Sequence, residues 1–105
     1  MPYMAPATLI FRDKLVFLDG TIQEMVIWKL PTIDPERPHG LKYSLYFGKD
    51  GERIVGHDNE RGKGDHRHYG QIEENYEFTS VEQLMSDFEA DVQKYRSRAS
   101  ETAKD

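Results

Sequence analysis

The chain contains no cysteine, which excludes a disulfide framework, a thiolate metal site and a cysteine nucleophile. Its apolar runs are far shorter than a membrane span. The first seven residues lack the basic start and the long apolar stretch of a signal peptide, so we expect a soluble cytoplasmic protein. The formal net charge of -5 argues against a protein that coats nucleic acid through bulk electrostatics, because such proteins carry a strong basic excess.

What the chain does have is the composition of one small folded domain. Its 105 residues, 37% hydrophobic and 11% aromatic, are enough for a single core. We expect the domain to span residues 8–95, after a short N-terminal extension over residues 1–7. The tail over residues 96–105 has no apolar periodicity, and we expect it to be disordered.

Alternating apolar residues predict two consecutive β-hairpins. Asp19-Gly20 and Lys49-Asp50-Gly51 are the turn signals, because aspartate and glycine accept the positive backbone angles of hairpin turns. Prolines between Lys29 and Gly40 predict a surface connection between the hairpins. The predicted strands cover residues 8–17, 21–29, 41–47 and 53–57, with a short edge strand over residues 76–78 as the candidate fifth.

Beyond the strands the apolar period becomes helical. Residues recur at three- and four-residue steps from Val81 to Tyr95, and either Thr79 or Ser80 has the spacing of a helix cap. The acidic residues of this segment, Asp91 among them, are interpreted as a solvated helix face. The sequence therefore predicts an α+β fold, an antiparallel sheet of four or five strands packed against one C-terminal helix.

The polar segment over residues 57–70 is the candidate functional site. It holds three of the four histidines together with acids, bases and glycines, and it has no aliphatic residue to bury. We therefore predict that it lies at the surface as a loop or strand end. The fourth histidine, His39, stands among prolines and is interpreted as ordinary surface.

Two histidines of this segment have the spacing for acid–base catalysis. On an extended backbone His66 and His68 point the same way, so one could deprotonate an RNA 2′-hydroxyl while the other protonates the leaving 5′-oxygen. Arg61, Lys63 and Arg67 could stabilise the negative charge on phosphorus. These residue types suit metal-free RNA cleavage, for which no cofactor is expected.

Two alternatives remain open for the same segment. Asp65, His66 and His68, with Asp58 or Glu60, could bind zinc or manganese, although neighbouring cations disfavour a metal. Alternatively, the chain could be a noncatalytic module in which the same segment binds a phosphorylated ligand or an antitoxin partner. Asp58, Asn59 and Asp65 are also common turn residues with purely structural roles.

The string from His57 to His68, HDNERGKGDHRH, resembles the hallmark of the TumE-type toxins of bacterial toxin–antitoxin systems. The resemblance extends to Leu18-Asp19-Gly20, to residues 24–28 and to residues 76–80, and it covers most of the chain from about Leu9 to Val92.

The resemblance implies a toxin, suggests a ribonuclease acting on RNA, and implies a helix-turn-helix antitoxin encoded beside it. It leaves the oligomeric state open, a homodimer included. At His57 the family has more usually an aromatic or aliphatic residue. The resemblance assigns functional importance to Asp58, Asn59, Glu60, Arg61, Lys63, Asp65, His66, Arg67 and His68.

Overall fold

The structure is a computed structural model, and it describes residues 6–60 and 62–103. The described residues form one antiparallel sheet, with every strand next to its neighbour in sequence, followed by one helix. The α+β fold with a C-terminal helix is thus confirmed. The elements are β1 (Thr8–Val16), β2 (Ile22–Lys29), β3 (Leu41–Lys49), β4 (Glu52–Asp58), β5 (His66–Tyr69), β6 (Ile72–Asn75) and α1 (Val81–Ala103).

The number of strands was underestimated, because the described sheet has six strands and not four or five. The additional hairpin, β5–β6, lies inside and just beyond the polar segment, and residues 76–78 are not a strand. Polar side chains form these two strands, so the apolar alternation used to recognise strands was absent. Backbone pairing with β4, from Val55–Tyr69 to Asp58–His66, holds β5 in the sheet instead.

The two predicted hairpin turns are confirmed. Asp50 and Gly51 both have positive φ, 53° and 78°, which is the conformation of a two-residue turn matched to the twist of the strands. At the other turn the Asp19 carboxylate accepts hydrogen bonds from the Thr21 amide and hydroxyl, at 2.9 and 2.6 Å. The hydrogen bond from Thr21 lowers the pKa of Asp19.

The sheet has one face under α1 and one open face. Residues paired across antiparallel strands project on the same side, and the row Ile27–Tyr43, Met25–Leu45, Phe47–Val55 faces the helix. These side chains are buried together with Leu84, Phe88 and Val92 of α1. The alternate positions of the same strands, which include Ser44, Tyr46, Gly56 and Asp58, therefore lie on the open face.

The helix is longer than predicted. It begins after Ser80, whose hydroxyl accepts a hydrogen bond from the Gln83 amide at 3.0 Å, so Ser80 and not Thr79 is the cap. It then continues through residues 96–103, where a disordered tail was expected. Arg96 holds this last part of the helix against the first hairpin turn. Its guanidinium lies 4.1 Å from the Phe17 ring centroid and 3.5 Å from the Asp19 carboxylate. No helix within the described residues is long and apolar enough to cross a membrane.

Candidate functional site on the open face

The sheet divides the polar segment between its two faces. His66 and His68 pair with Asp58 and Gly56, so both imidazoles lie on the open face, as their spacing predicted. Arg67 pairs with His57 on the face under α1. Arg67 is therefore separated from the two histidines by the thickness of the sheet.

The histidines of the open face lie side by side. Their ring centroids are 6.4 Å apart and their planes differ by 14°. Both side chains are only about a tenth exposed, at 10% for His66 and 9% for His68. Together with the charged side chains around them they form what we name the open-face cluster: Arg53, Asp58, Lys63, His66, His68 and Glu73.

Hydrogen bonds define the tautomer of His68. The Arg53 guanidinium donates to Nδ1 of His68 at 3.0 Å, and because arginine has no acceptor atom this nitrogen must be unprotonated. The ring proton of the neutral imidazole is therefore on Nε2, which lies 3.4 Å from an Asp58 carboxylate oxygen. Arg53 also lies 3.6 Å from the same carboxylate oxygen, so the three residues form one connected group.

His66 has the opposite tautomer. Its Nδ1 lies 2.7 Å from the Gly64 carbonyl, which can only accept, so this nitrogen is the donor. In the neutral ring Nε2 is left with its lone pair, and it lies 3.4 Å from the Glu73 carboxylate. The two neighbouring histidines thus present a proton on Nε2 in one case and an acceptor on Nε2 in the other.

Exposed charged side chains cover both rings. Arg53, Lys63 and Glu73 are 40%, 57% and 41% exposed, and the Lys63 ammonium lies 3.5 Å from Glu73. Lys63 therefore reaches the cluster through Glu73. Ion pairs this exposed are weak, so an incoming anion can draw the two cations away from their carboxylate partners.

A second group of residues anchors the loop that leads into β5. The Asp65 carboxylate accepts a hydrogen bond from the Tyr43 hydroxyl at 2.7 Å and lies 3.1 Å from Nε2 of His39. Burial and the bond to Asp65 raise the pKa of Tyr43 and keep its hydroxyl protonated as the donor. We name His39, Tyr43 and Asp65 the loop anchor. His39 is therefore a half-buried partner of the loop and not ordinary surface.

The loop anchor supports the orientation of His66. Asp65 follows directly after Gly64, whose carbonyl holds Nδ1 of His66, so fixing the Asp65 side chain also fixes that carbonyl. Gly62 and Gly64 have φ values of 89° and 75°, which residues with a side chain rarely adopt. The Gly62 amide is held in addition by the Glu36 carboxylate at 2.6 Å.

The other predicted site residues have separate positions. Asn59 is fully buried and structural, since its side chain accepts from the Tyr43 amide at 2.9 Å and donates to the Leu41 carbonyl at 2.7 Å. Glu60 is exposed, and its carbonyl accepts a turn hydrogen bond from Lys63. Arg61 lies outside the described residues.

Beneath the helix lies a further charged group, the helix-side cluster of His57, Arg67 and Asp91. One Asp91 carboxylate oxygen lies 3.2 Å from Nε2 of His57 and 2.5 Å from the Arg67 guanidinium. Burial works against the charged form of Arg67, but the hydrogen bond to Asp91 raises its pKa above the ordinary value. Asp91 is 4% exposed, so its assignment to a solvated helix face was wrong.

The fold divides the residues of the metal alternative. Asp65 belongs to the loop anchor, whereas Asp58, His66 and His68 belong to the open-face cluster. Among residues 6–60 and 62–103, no group of three or more histidines and acids is arranged to hold a metal ion.

Fold and site together define a small single-sheet α+β protein with paired imidazoles between basic side chains on its uncovered face. The chain belongs to the TumE toxin family, because the family described as Toxin TumE matches residues 2–96, most of its length. It is thereby a toxin of a toxin–antitoxin system, and an antitoxin partner is implied. No curated protein matches the chain, and no solved structure matches it.

The sequence did not point to Arg53, Glu73 and Asp91, nor to His39 and Tyr43 of the loop anchor. Arg53 and Glu73 reach the histidines only through the pairing of β4, β5 and β6, which no short motif reveals. Asp91 offered one signal, because it lies at a helical spacing from the core residues Leu84 and Phe88. An acid on the apolar stripe of a helix indicates a buried partner.

Proposed function

We propose that this toxin acts by cleaving RNA, with His66 and His68 as general base and general acid. The supporting observation is the pair of imidazoles on the open face, whose ring centroids are 6.4 Å apart and whose planes are nearly parallel, with the Arg53 guanidinium beside them. RNA cleavage by intramolecular attack needs one group to take a proton and another to give one.

The contacts of the two rings assign the roles in this proposal. His66 is the base, because its Nδ1 is held by the Gly64 carbonyl and its Nε2 can accept a proton once the exposed Glu73 side chain moves aside. His68 is the acid in its doubly protonated form, which forms when Arg53 leaves Nδ1 for the phosphate, and the Asp58 carboxylate beside Nε2 favours that cation. Asp58 orients this Nε2 in the free protein, and the leaving oxygen takes its place when substrate binds.

The proposed reaction is a transesterification at phosphorus. Neutral His66 removes the proton from a 2′-hydroxyl, the 2′-oxygen bonds to phosphorus, the bond to the 5′-oxygen breaks, and the imidazolium of His68 protonates that oxygen and becomes neutral. The products are a 2′,3′-cyclic phosphate and a 5′-hydroxyl. Arg53 and Lys63 bind the phosphoryl oxygens and stabilise the charge that accumulates on them. Arg53, to which the sequence did not point, thus joins Lys63 in this role.

The test is incubation of the purified protein with cellular RNA, with and without a chelator. We expect cleavage that survives chelation and that falls at least a hundredfold in His66→Ala and His68→Ala, since general acid–base groups contribute about 10²–10⁴-fold each. Circular dichroism must show that both variants stay folded. Lys63→Ala should also slow cleavage, because Lys63 binds the phosphoryl oxygens in this proposal. Its matched control is Lys29→Ala, since Lys29 is exposed but lies on the opposite face of the sheet.

Other outcomes identify the alternatives. Cleavage that stops on chelation would favour a metal-dependent nuclease, and no cleavage at all would favour a noncatalytic binding module.

The proposal also includes a partner and a compartment. The partner is a helix-turn-helix antitoxin encoded by the adjacent gene, and the compartment is the cytoplasm, where RNA is available. Co-expression and co-purification of the adjacent gene product test the partner, and loss of growth inhibition on co-expression is the expected result.

A further inference from the structure

A cleft of about 580 Å³ lies at one end of the sheet, away from the paired imidazoles. It is lined by Ala7, Leu30, Arg37, Lys42 and Glu60. Lys42 is paired with Trp28 in the sheet and belongs to the same face as Ser44, which pairs with Asp58. The cleft therefore opens on the face that holds the open-face cluster.

Arg37 is the unusual residue of this cleft. Its side chain is 7% exposed, and its guanidinium makes an ion pair with Asp34 at 3.3 Å through one terminal nitrogen. Nε of the same guanidinium is buried and has no hydrogen-bond partner within the described residues. Buried donors are nearly always paired, so this atom indicates a ligand that supplies an acceptor.

The second cation of the cleft is Lys42. It is exposed, and it makes no ion pair with any residue in the described part of the chain. Glu60 is the acidic residue of the lining and is exposed as well. A guanidinium with an unused donor beside an uncommitted ammonium matches the requirements of a phosphate group, which offers several acceptor oxygens and negative charge.

From these observations we propose that the Arg37–Lys42 cleft binds a backbone phosphate of the RNA strand, outside the scissile position. The proposal rests on the proposed RNA-cleaving function and extends it to the substrate path. Ideal sheet spacings of about 3.4 Å per residue and about 4.8 Å per strand place Lys42 roughly 12 Å from His66. One oligonucleotide strand can therefore reach both places along the open face.

Glu60 opposes the ligand in this arrangement. Its carboxylate lines the cleft next to the two cations, so it repels a phosphate that enters. Replacing Lys42 should therefore weaken phosphate binding, and replacing Glu60 should strengthen it. Both residues are exposed, so neither replacement disturbs the core.

The experiment measures binding of a non-cleavable 2′-O-methyl RNA octamer to the full chain at several salt concentrations. We expect Lys42→Ala to raise the Kd roughly three- to tenfold and to make the salt dependence shallower by about 0.7 in log–log slope, one phosphate contact on a single strand. Glu60→Gln should lower the Kd. Lys29→Ala removes the same charge from the opposite face and should change neither quantity.

Two further measurements localise the contact. Trp28 is the only tryptophan and the cross-strand neighbour of Lys42, so its fluorescence should change on octamer binding and change less in Lys42→Ala. Arg37→Lys keeps the charge beside Asp34 but removes the Nε donor, and it should also weaken binding. If that variant fails to fold, Lys42→Ala and Glu60→Gln still decide.

The proposal that the cleft binds phosphate is overturned if Lys42→Ala changes neither the Kd nor the salt slope and Glu60→Gln does not change the Kd. Normal octamer binding in these variants together with weakened antitoxin binding would also overturn it, since the cleft would then serve a protein partner. Failure of the proposed RNA-cleaving function can be distinguished from failure of the cleft proposal. In that case the wild type would not cleave RNA, but binding of the non-cleavable octamer would still test the cleft.

Discussion

The most informative stability test is removal of the Asp91 carboxylate. Asp91 is 4% exposed and bonds to both His57 and Arg67, so Asp91→Ala leaves a buried imidazole and a guanidinium without their shared acceptor. Breaking a buried charge pair typically costs about 3–5 kcal/mol. Arg67 is 31% exposed, and water recovers part of its loss, which reduces the expected cost to about 2–4 kcal/mol.

For a domain of this size that cost lowers the Tm by roughly 10–20 °C. Urea unfolding followed by circular dichroism measures the free energy of unfolding directly. The matched control is Glu89→Ala, an exposed acid on the same helix, which should stay within about 0.5 kcal/mol of the wild type. A urea midpoint for Asp91→Ala equal to that of the wild type would refute the buried role of Asp91.

Two other predictions concern the loop anchor and the helix-side histidine. Tyr43→Phe removes the hydroxyl that donates to Asp65, so the free energy of unfolding should fall by about 1–2 kcal/mol. RNA cleavage should fall with it. A urea midpoint equal to that of the wild type would contradict a stabilising role for this hydrogen bond. Burial lowers the pKa of His57 below its ordinary value of 6.5. Near and below pH 6.5 the unfolded chain therefore binds more protons than the folded chain. The free energy of unfolding should fall as the pH drops from 7 towards 5. His57→Leu should make this pH dependence of the urea midpoint shallower, and an equally steep dependence in the variant would show that other groups cause it.

Local patterns in the sequence were enough to predict the first four strands and the helix. Their apolar residues alternate or recur at helical spacing, and the turns carry aspartate and glycine where positive φ is needed, as at Asp50 and Gly51. The third hairpin could not be predicted in this way. Its strands are built from histidine, arginine and glutamate, and long-range pairing with β4 stabilises them where burial of apolar side chains does not.

The sequence could predict which face His66 and His68 share, but not which other side chains lie beside them. The two-residue spacing of His66 and His68 correctly places both on one face. The assumption that a polar segment cannot be buried failed, because His57 and Asn59 are fully buried with hydrogen-bond partners supplied by distant residues. Such partners become visible only when the fold brings Asp91 and Tyr43 beside them.

The measurement that tests the central claim most directly is the chemistry of the RNA ends. Purified protein is incubated with a defined RNA in the presence of a chelator, and the products are analysed by mass spectrometry. We expect 2′,3′-cyclic phosphate and 5′-hydroxyl ends from the wild type and their loss in folded His66→Ala and His68→Ala. Undiminished cleavage in both variants, cleavage only without the chelator, or no cleavage by the wild type would contradict it.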